Sequence, residues 1–296
     1  MLKRVIDISS KSYIHIKNSQ LVIIIENEVA GSIPVEDLGV LILQHPGITL
    51  SIAVVTICQK NNVIIVFCDE NHLPSSTLLP LATGHSLHSK ILANQICVKL
   101  TLKKRLWKKI VSLKIEEQYK TLIYCGEKSE RIKKLSREVK SGDPENFEAQ
   151  AARIYWKMLL GANFKRDVEK DGINSLLNYG YTIMRALFAR AIVAGGLHPT
   201  LGLHHRNQYN ALCLADDLME PCRAWVDLYV VKLASKGITE INQESKEILL
   251  SLISVNVRYD NKVMPLMTAC HYLVSRLKKI YDGNATELIY PSLLGQ

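Results

Sequence analysis

The sequence predicts an α+β protein in which a small N-terminal, mainly-β domain is followed by a larger all-α C-terminal domain. Short β-branched runs separated by turn residues occupy the first 75 residues. From residue 90 onward, apolar residues instead recur at helical spacing almost to the end of the chain. We therefore place the β domain at residues 1–75, a linker at 76–90 and the helical domain at 91–296.

Five apolar segments are the predicted strands of the N-terminal domain, because each is rich in β-branched residues and bounded by residues that favour turns. They are Leu21 to Ile25, Val29 to Ile33, Val40 to Leu43, Thr49 to Cys58 and Val63 to Phe67. The segment 35–38 is predicted to form a short helical turn. Strands this short and closely spaced indicate a compact domain whose apolar faces pack on one another or on a second copy of the chain.

The first predicted helices carry one apolar stripe and many lysines. The stripe has helical spacing and consists of Ile91, Gln95, Val98, Leu102, Leu106 and Ile110. The basic residues lie elsewhere on the helix and include Lys99, Lys103, Lys104, Arg105, Lys108 and Lys109. A second basic helix is predicted from Lys128 to Lys140. The stripe is expected to enter the core, and the lysines are candidate contacts to a nucleic-acid backbone.

Helix boundary signals divide the rest of the chain. Asp143 is the expected N-cap of a helix with Pro144 at its first position. An almost entirely apolar helix from Ile173 to Ala194 ends at two glycines, which is a C-terminal signal. Two further helices are expected at about 242–255 and 262–281, followed by a frayed C-terminus.

Positive charge is concentrated in the middle of the chain. The formal net charge is +9, and residues 1–75, 76–140 and 141–296 contribute −2, +10 and +1. A basic block of this kind is typical of a protein that binds a polyanion, although a lysine-rich solvated surface has the same composition.

The cysteines and the apolar segments favour a cytoplasmic protein. Seven scattered cysteines, none in a Cys-x-x-Cys pair, indicate reduced thiols instead of a disulfide framework or a zinc site. No apolar run approaches the roughly 18 residues that would span a bilayer, and the N-terminus lacks a signal-peptide pattern.

The stretch from Gly202 to Glu220 combines two adjacent histidines with three acids. If a helix runs from about Tyr209 to Ala234, Asp217 and Glu220 lie on one face at i and i+3. Neighbouring carboxylates repel each other unless a positive charge lies between them, so the pattern suggests a hard or borderline divalent cation. A solvated acidic face beside one loop histidine and one core histidine explains the same residues without a metal.

Four motifs occur in the order typical of one protein family. They are Asp-Pro-Glu-Asn-Phe-Glu-Ala-Gln-Ala-Ala-Arg-Ile-Tyr-Trp at 143–156, Gly-Ile-Asn-Ser-Leu-Leu-Asn-Tyr-Gly-Tyr at 172–181, a Gly-x-x-His ending at His205, and Leu-Ala-Asp-Asp-Leu-Met-Glu-Pro at 214–221. With these motifs the chain resembles the CRISPR-associated integrase and endonuclease of spacer acquisition, the universal adaptation protein, and is most similar to its type II branch.

The resemblance implies three metal-binding and catalytic residues, namely Glu148, His205 and Glu220, with Mg²⁺ or Mn²⁺ as cofactor. His205 is preferred over His204 because it falls third after Gly202, as in the family pattern. Asp217 matches an acid that is often found one turn before the last ligand, so it is an auxiliary candidate.

The resemblance also implies an activity and partners. The family inserts short foreign DNA into the CRISPR repeat by attack of a 3′-hydroxyl on a phosphodiester. Its members form homodimers through the β domain and assemble with a second small CRISPR-associated adaptation protein into a heterohexamer on double-stranded DNA. Two alternatives stay open, a non-catalytic DNA-binding scaffold and a metal-dependent RNA-processing nuclease.

Overall fold

The computed structural model describes residues 4–69, 74–79 and 87–294. A strand-rich N-terminal region is followed by a mostly helical region, which confirms the predicted fold class. The predicted linker lies in part outside the described residues. Past residue 75, the described chain continues in a strand to Leu78, and the next helix begins at His88.

The N-terminal region contains eight described strands and one helix. They are β1 (Arg4–Ile8), β2 (Tyr13–Lys17), β3 (Gln20–Ile25), β4 (Glu28–Pro34), β5 (Leu38–Leu43), β6 (Thr49–Leu50), α1 (Ile52–Lys60), β7 (Ile64–Cys68) and β8 (Pro74–Leu78). The strands form one sheet in the order β1-β5-β7-β8 and a second in the order β4-β3-β2-β6. The short helical turn expected at 35–38 is a 3₁₀ turn at Val35–Asp37.

The strand predicted from Thr49 to Cys58 is wrong, because all but its first residues belong to helix α1. Strand β5 pairs with β7 in parallel, and parallel neighbours require a crossover connection, which is usually a helix. Helix α1 supplies that crossover and buries Val54 and Cys58, which lie one helical turn apart. A short apolar run does not by itself distinguish a helix from a buried strand.

Strand β5 contributes to two hydrophobic cores, because its two faces alternate along the chain. Leu41 and Leu43 belong to the core of the N-terminal region, whereas Val40 and Ile42 belong to the larger core of the helices. All six residues of β5 are buried, as expected for a strand covered on both faces.

Nine helices and a small sheet form the rest of the described chain. The helices are α2 (His88–Ile96), α3 (Leu100–Tyr124), α4 (Glu130–Glu138), α5 (Phe147–Leu160), α6 (Ile173–Ala194), α7 (Cys213–Met219), α8 (Arg223–Ser235), α9 (Gln243–Ser251) and α10 (Leu266–Tyr281). Helix α6 has the predicted bounds, and all seven cysteines are free. No helix among the described residues has both the length and the apolarity needed to cross a membrane.

Three details of the helical region differ from the prediction. A hairpin of β9 (Asn256–Tyr259) and β10 (Lys262–Pro265) precedes α10, and β11 (Ser292–Leu293) pairs with β9 where a frayed end was expected. The hairpin turn, Asp260-Asn261, has positive φ at both residues, as two-residue hairpins require. The expected continuous helix to Ala234 is interrupted by a 3₁₀ turn at Glu220–Cys222.

Helix α5 begins three residues later than the Asp143-Pro144 pair predicted. Its N-cap is Asn146, whose side chain accepts the amide N–H of Ala149 at 3.3 Å. Residues 143–146 instead form a turn before the helix, in which the Asn146 amide N–H donates to the Asp143 carbonyl oxygen at 3.0 Å and Asp143 has a positive φ. The Asp143 carboxylate accepts hydrogen bonds from the backbone amides of Phe147 and Glu148 at 2.9 and 3.1 Å. Asp143 thus caps the N-terminus of this helix from a position before the N-cap.

Candidate metal centre

Glu148 lies in the first turn of α5, where its position is set by the helix cap. Asn146 and Asp143 together bind the amides that the first turn leaves without intrahelical partners. The Glu148 side chain is a quarter exposed and accepts a hydrogen bond from Lys114 Nζ at 2.6 Å. Lys114 lies on α3, so this bond joins α3 to α5.

Glu220 lies at the junction of α7 and α8, in the 3₁₀ turn that also contains Pro221. Its carboxylate is almost completely buried, with Oε1 2.9 Å from Arg223 Nε and Oε2 2.5 Å from Lys114 Nζ. Burial alone raises the pKa of a carboxyl, but the charges of Lys114 and Arg223 outweigh it and lower the pKa of Glu220 to about 2. Glu220 is therefore ionised at neutral pH.

Lys114 Nζ joins the two predicted acids, which come from helices distant in sequence. Burial lowers the pKa of Lys114, yet the charges of Glu220 and Glu148 reverse the direction and raise it. The ammonium thus occupies the place between two carboxylates where a cation is expected. Glu220 Oε2 meets the ammonium in an ion pair at 2.5 Å. A metal ion that binds this buried oxygen would take the place of the ammonium.

His205 is held by Asp217, which is completely buried on α7. The Asp217 carboxylate accepts the backbone N–H groups of Leu203, His204 and His205 at 2.5, 3.1 and 3.2 Å. It also lies 2.7 Å from His205 Nδ1. An ionised carboxylate only accepts, so Nδ1 carries the proton and Nε2 is the nitrogen with a lone pair for a ligand. This hydrogen bond, together with nearby negative charges, raises the pKa of His205 despite burial.

Gly202 permits this close packing of the loop. A Cβ at this position would lie 2.6 Å from the His205 carbonyl oxygen and 2.8 Å from an Asp217 carboxylate oxygen. Both distances are shorter than real Cβ contacts, so a side chain would displace the loop that carries His205. The first position of the Gly-x-x-His motif is therefore a glycine because a side chain there would clash with the loop.

His204 and His205 have different surroundings. His204 stacks on the buried indole of Trp107, with centroids 4.2 Å apart and planes 2° apart, whereas His205 meets the same indole edge-on at 5.7 Å. Trp107 precedes Lys114 by seven residues on α3, so one helix lines both the histidine loop and the paired glutamates. Seven residues correspond to roughly 10 Å along a helix.

The structure thus brings Glu148 and Glu220 together and places His205 next to Asp217. In this conformation, no three His, Cys, Asp or Glu side chains of the described part of the chain are close enough to hold a metal ion. The groups themselves suit a hard or borderline cation, since they are two carboxylates and one imidazole nitrogen with a lone pair.

Asp216 faces a different part of the molecule. It pairs with Arg185, whose Nη2 donates to it at 2.8 Å, and with the side-chain amide of Asn210, which donates at 2.7 Å. Of the three acids in the stretch that ends at Glu220, two therefore contact the candidate site and one stabilises the neighbouring loop.

The sequence-based prediction did not include Lys114, Arg223 or Trp107. The sequence does contain a signal for Lys114, because this lysine follows the apolar residues Ile110 by four positions and Val111 by three. It therefore lies in core register on an amphipathic helix, where an unpaired lysine would be unstable. Arg223 follows Glu220 by three residues, which is the spacing of a helical ion pair.

The basic surface begins beside the histidine loop. Lys103 on α3 donates to the Gly202 carbonyl oxygen at 3.4 Å. The predicted basic residues that flank it are exposed, namely Lys99, Lys104, Arg105, Lys108 and Lys109. A row of basic side chains that ends at a candidate metal centre can hold the phosphate backbone of a nucleic acid next to that centre.

Comparisons with known proteins identify the family. A family model described as CRISPR associated protein Cas1 matches residues 6–252. A CRISPR-associated endonuclease Cas1 from Neisseria meningitidis serogroup C (strain 8013) is 32% identical over 274 residues, which are 91% of this chain and 90% of that relative.

Two solved structures have a similar fold. A casposase bound to integration product has a TM-score of 0.79 at 20% identity, over 97% of this chain and 92% of that chain. A chain of a Cas6-RT-Cas1–Cas2 complex has a TM-score of 0.78 at 17% identity, over 99% of this chain and 36% of that chain. The family match and the Neisseria relative confirm the resemblance carried by the four motifs, and the chain belongs to the Cas1 family of CRISPR-associated proteins.

Proposed function

We propose that this protein is a metal-dependent DNA integrase and endonuclease that joins the 3′ ends of short foreign DNA to the CRISPR repeat. The names of its relatives support a nuclease or integrase role. The observation that carries the proposal is the convergence of Glu148 and Glu220 on one cation, Lys114 Nζ, from helices 72 residues apart in sequence.

The proposed ligands of the metal ion are Glu148, Glu220 and Nε2 of His205. A bound Mg²⁺ or Mn²⁺ supplies positive charge to polarise a phosphodiester and to orient the attacking and leaving oxygens. Asp217 keeps the proton on Nδ1 of His205, which leaves Nε2 as the donor nitrogen. Arg223 orients the Glu220 carboxylate through a 2.9 Å hydrogen bond.

The basic surface of α3 is the proposed path of the DNA. Lysine contacts to phosphates bind largely without regard to sequence and hold the duplex in place for the reaction. Strand transfer by a 3′-hydroxyl requires no nucleophilic side chain. The protein needs only metal ligands, a positively charged track and an accessible phosphate position.

The proposed partners follow from the same activity. Joining both ends of one DNA to opposite strands requires two active sites, which a symmetric homodimer provides. We propose dimerisation through the N-terminal region. A fold neighbour in a complex with Cas2 supports a small Cas2-type protein as the second component. We further propose that the two proteins form a heterohexamer.

A joining assay tests the function. A labelled duplex with 3′-hydroxyl ends is incubated with a repeat-containing plasmid, with Cas2 present, in Mg²⁺, Mn²⁺ or chelator. We expect joined product only with metal, and a loss of about 100-fold or more in Glu148→Gln and in Glu220→Gln. Asp216→Asn is the matched control, because it removes an acid of the same motif that faces Arg185.

Two results would favour the alternatives. DNA binding by the parent without joined product in either metal would favour the non-catalytic scaffold, and equal joining by the parent and both glutamate variants would refute the proposed role of these glutamates. Cleavage of RNA in preference to DNA, lost in the same variants, would instead indicate the RNA-processing nuclease.

A further inference from the structure

Lys114 is a largely buried lysine at the meeting point of three segments. It extends from α3 to Glu148 at the start of α5 and to Glu220 at the junction of α7 and α8, at 2.6 and 2.5 Å. Only 14% of its side chain is exposed. A buried ammonium is stable only where carboxylates compensate its charge, and here it has two.

The four side chains joined by these ion pairs carry no net charge without a metal ion. Glu148 and Glu220 contribute two negative charges, and Lys114 and Arg223 contribute two positive charges. Arg223 binds Oε1 of Glu220, whereas Lys114 takes Oε2 and an oxygen of Glu148. Of the two cations, Lys114 is therefore the one that contacts both proposed ligands.

We infer that Lys114 is an internal counter-ion that holds Glu148 and Glu220 together in the metal-free protein and competes with the divalent ion for the same oxygens. This inference rests on the proposed function, because it takes these glutamates to be ligands. Two carboxylates brought close without a cation repel each other, so a lysine in this place stabilises the metal-free fold and weakens ion binding by the same interaction.

Competition has a consequence for the substrate. A divalent ion that takes the carboxylate oxygens leaves the Lys114 ammonium nearby without its two partners. The cluster and the ion together would then carry two more positive charges than the metal-free cluster. A phosphate would therefore bind more favourably with the ion present than without it. Lys114 would act as a positioning residue, since it acts through the glutamates and through the local charge.

Calorimetric titration of the full chain with MnCl₂, without DNA, tests the inference. We expect Lys114→Met to bind Mn²⁺ about tenfold more tightly than the parent, a difference of about 1.4 kcal/mol. We also expect its melting temperature in chelator to fall, and added Mn²⁺ to raise it more than in the parent. A purely structural role would lower the melting temperature without changing the Mn²⁺ affinity.

Lys120→Met is the matched control. Lys120 lies on the same helix and pairs with Glu116 and Glu117 at 3.3 and 2.7 Å, neither of which is a proposed ligand. Its loss is expected to leave the Mn²⁺ affinity unchanged.

Two milder variants decide the question if Lys114→Met does not fold. Lys114→Gln keeps a donor but loses the charge, and Lys114→Arg keeps the charge. We expect the glutamine variant to bind Mn²⁺ more tightly than the arginine variant, and equal affinities would overturn the inference. A third outcome separates the two proposals. If the parent binds Mn²⁺, Glu148→Gln does not, and Lys114→Gln binds it as tightly as the parent, the counter-ion role is rejected while the proposed metal centre stands. A parent that binds no Mn²⁺ rejects the proposed metal centre as well.

Discussion

His205 and Asp217 are joined by a 2.7 Å contact between Nδ1 and a carboxylate oxygen, and the same carboxylate accepts the backbone amides of the loop that carries the ring. One buried acid therefore sets both the tautomer of the imidazole and the path of the chain around it. A carboxylate behind a metal-binding histidine commonly fixes the ring in this way.

Asp217→Asn is expected to weaken Mn²⁺ binding and DNA joining together, by about 10- to 100-fold. The amide nitrogen of asparagine cannot accept a hydrogen bond, so part of the loop's support is lost. Calorimetry with MnCl₂ and the joining assay measure the two effects. Asp216→Asn, with its partner Arg185 on another helix, is expected to affect neither. An Asp217→Asn protein with full Mn²⁺ affinity would contradict this positioning role.

Gly202→Ala is expected to destabilise the protein by about 1–3 kcal/mol, because its Cβ would overlap the His205 carbonyl and the Asp217 carboxylate. Chemical denaturation of both proteins measures the difference in the free energy of unfolding. Gly31→Ala is the control, since a Cβ there would meet no atom within 4 Å. Equal stabilities of the Gly202→Ala protein and the parent would show that the loop adjusts without cost.

The double substitution Lys108→Gln and Lys109→Gln is expected to weaken DNA binding and to reduce its salt dependence. Each phosphate contact to duplex DNA contributes about 0.9 to the slope of log K against log salt, so the slope should decrease by about 2. Fluorescence anisotropy at several salt concentrations gives this slope. The exposed Lys60 and Lys236, changed to glutamine together, serve as the control. Binding that hardly varies with salt in the parent would exclude the basic track.

His271 is expected to make the fold sensitive to acid. Burial, reinforced by the adjacent Arg190, lowers the pKa of His271 from 6.5 to about 4. Arg190 donates to Nε2 at 3.0 Å, which requires a neutral ring. Between pH 6.5 and 4 the unfolded chain therefore binds a proton that the folded chain does not, and stability falls as the pH falls through this range.

Melting temperatures between pH 4 and 7 test this prediction. The shift corresponds to about 3 kcal/mol at the acid end. His271→Gln keeps an acceptor for Arg190, so the fall in melting temperature on acidification should be smaller than in the parent. The exposed His198 changed to glutamine should leave the profile as it is. Parallel profiles for the parent and His271→Gln would refute the assignment.

Much of the fold is readable in the sequence because it depends on local spacing. The bounds of α6 follow from an apolar run closed by two glycines, and strands β3, β4 and β7 follow from β-branched residues between turns. The misread segments depend on pairing with distant residues. Helix α1 is a helix because β5 and β7 are parallel, and the hairpin before α10 is stabilised by pairing with β11.

The sequence by itself determined the class of fold and the family, since periodicity and motifs are local properties, and its resemblance to that family implied the three proposed ligands Glu148, His205 and Glu220. Only the tertiary structure decided what lies among them. Lys114 joins the two glutamates and Asp217 binds His205, while Trp107 packs against both histidines. These contacts join residues up to 106 positions apart, and only the packing of α3 against α5 and the α7–α8 junction brings such residues together.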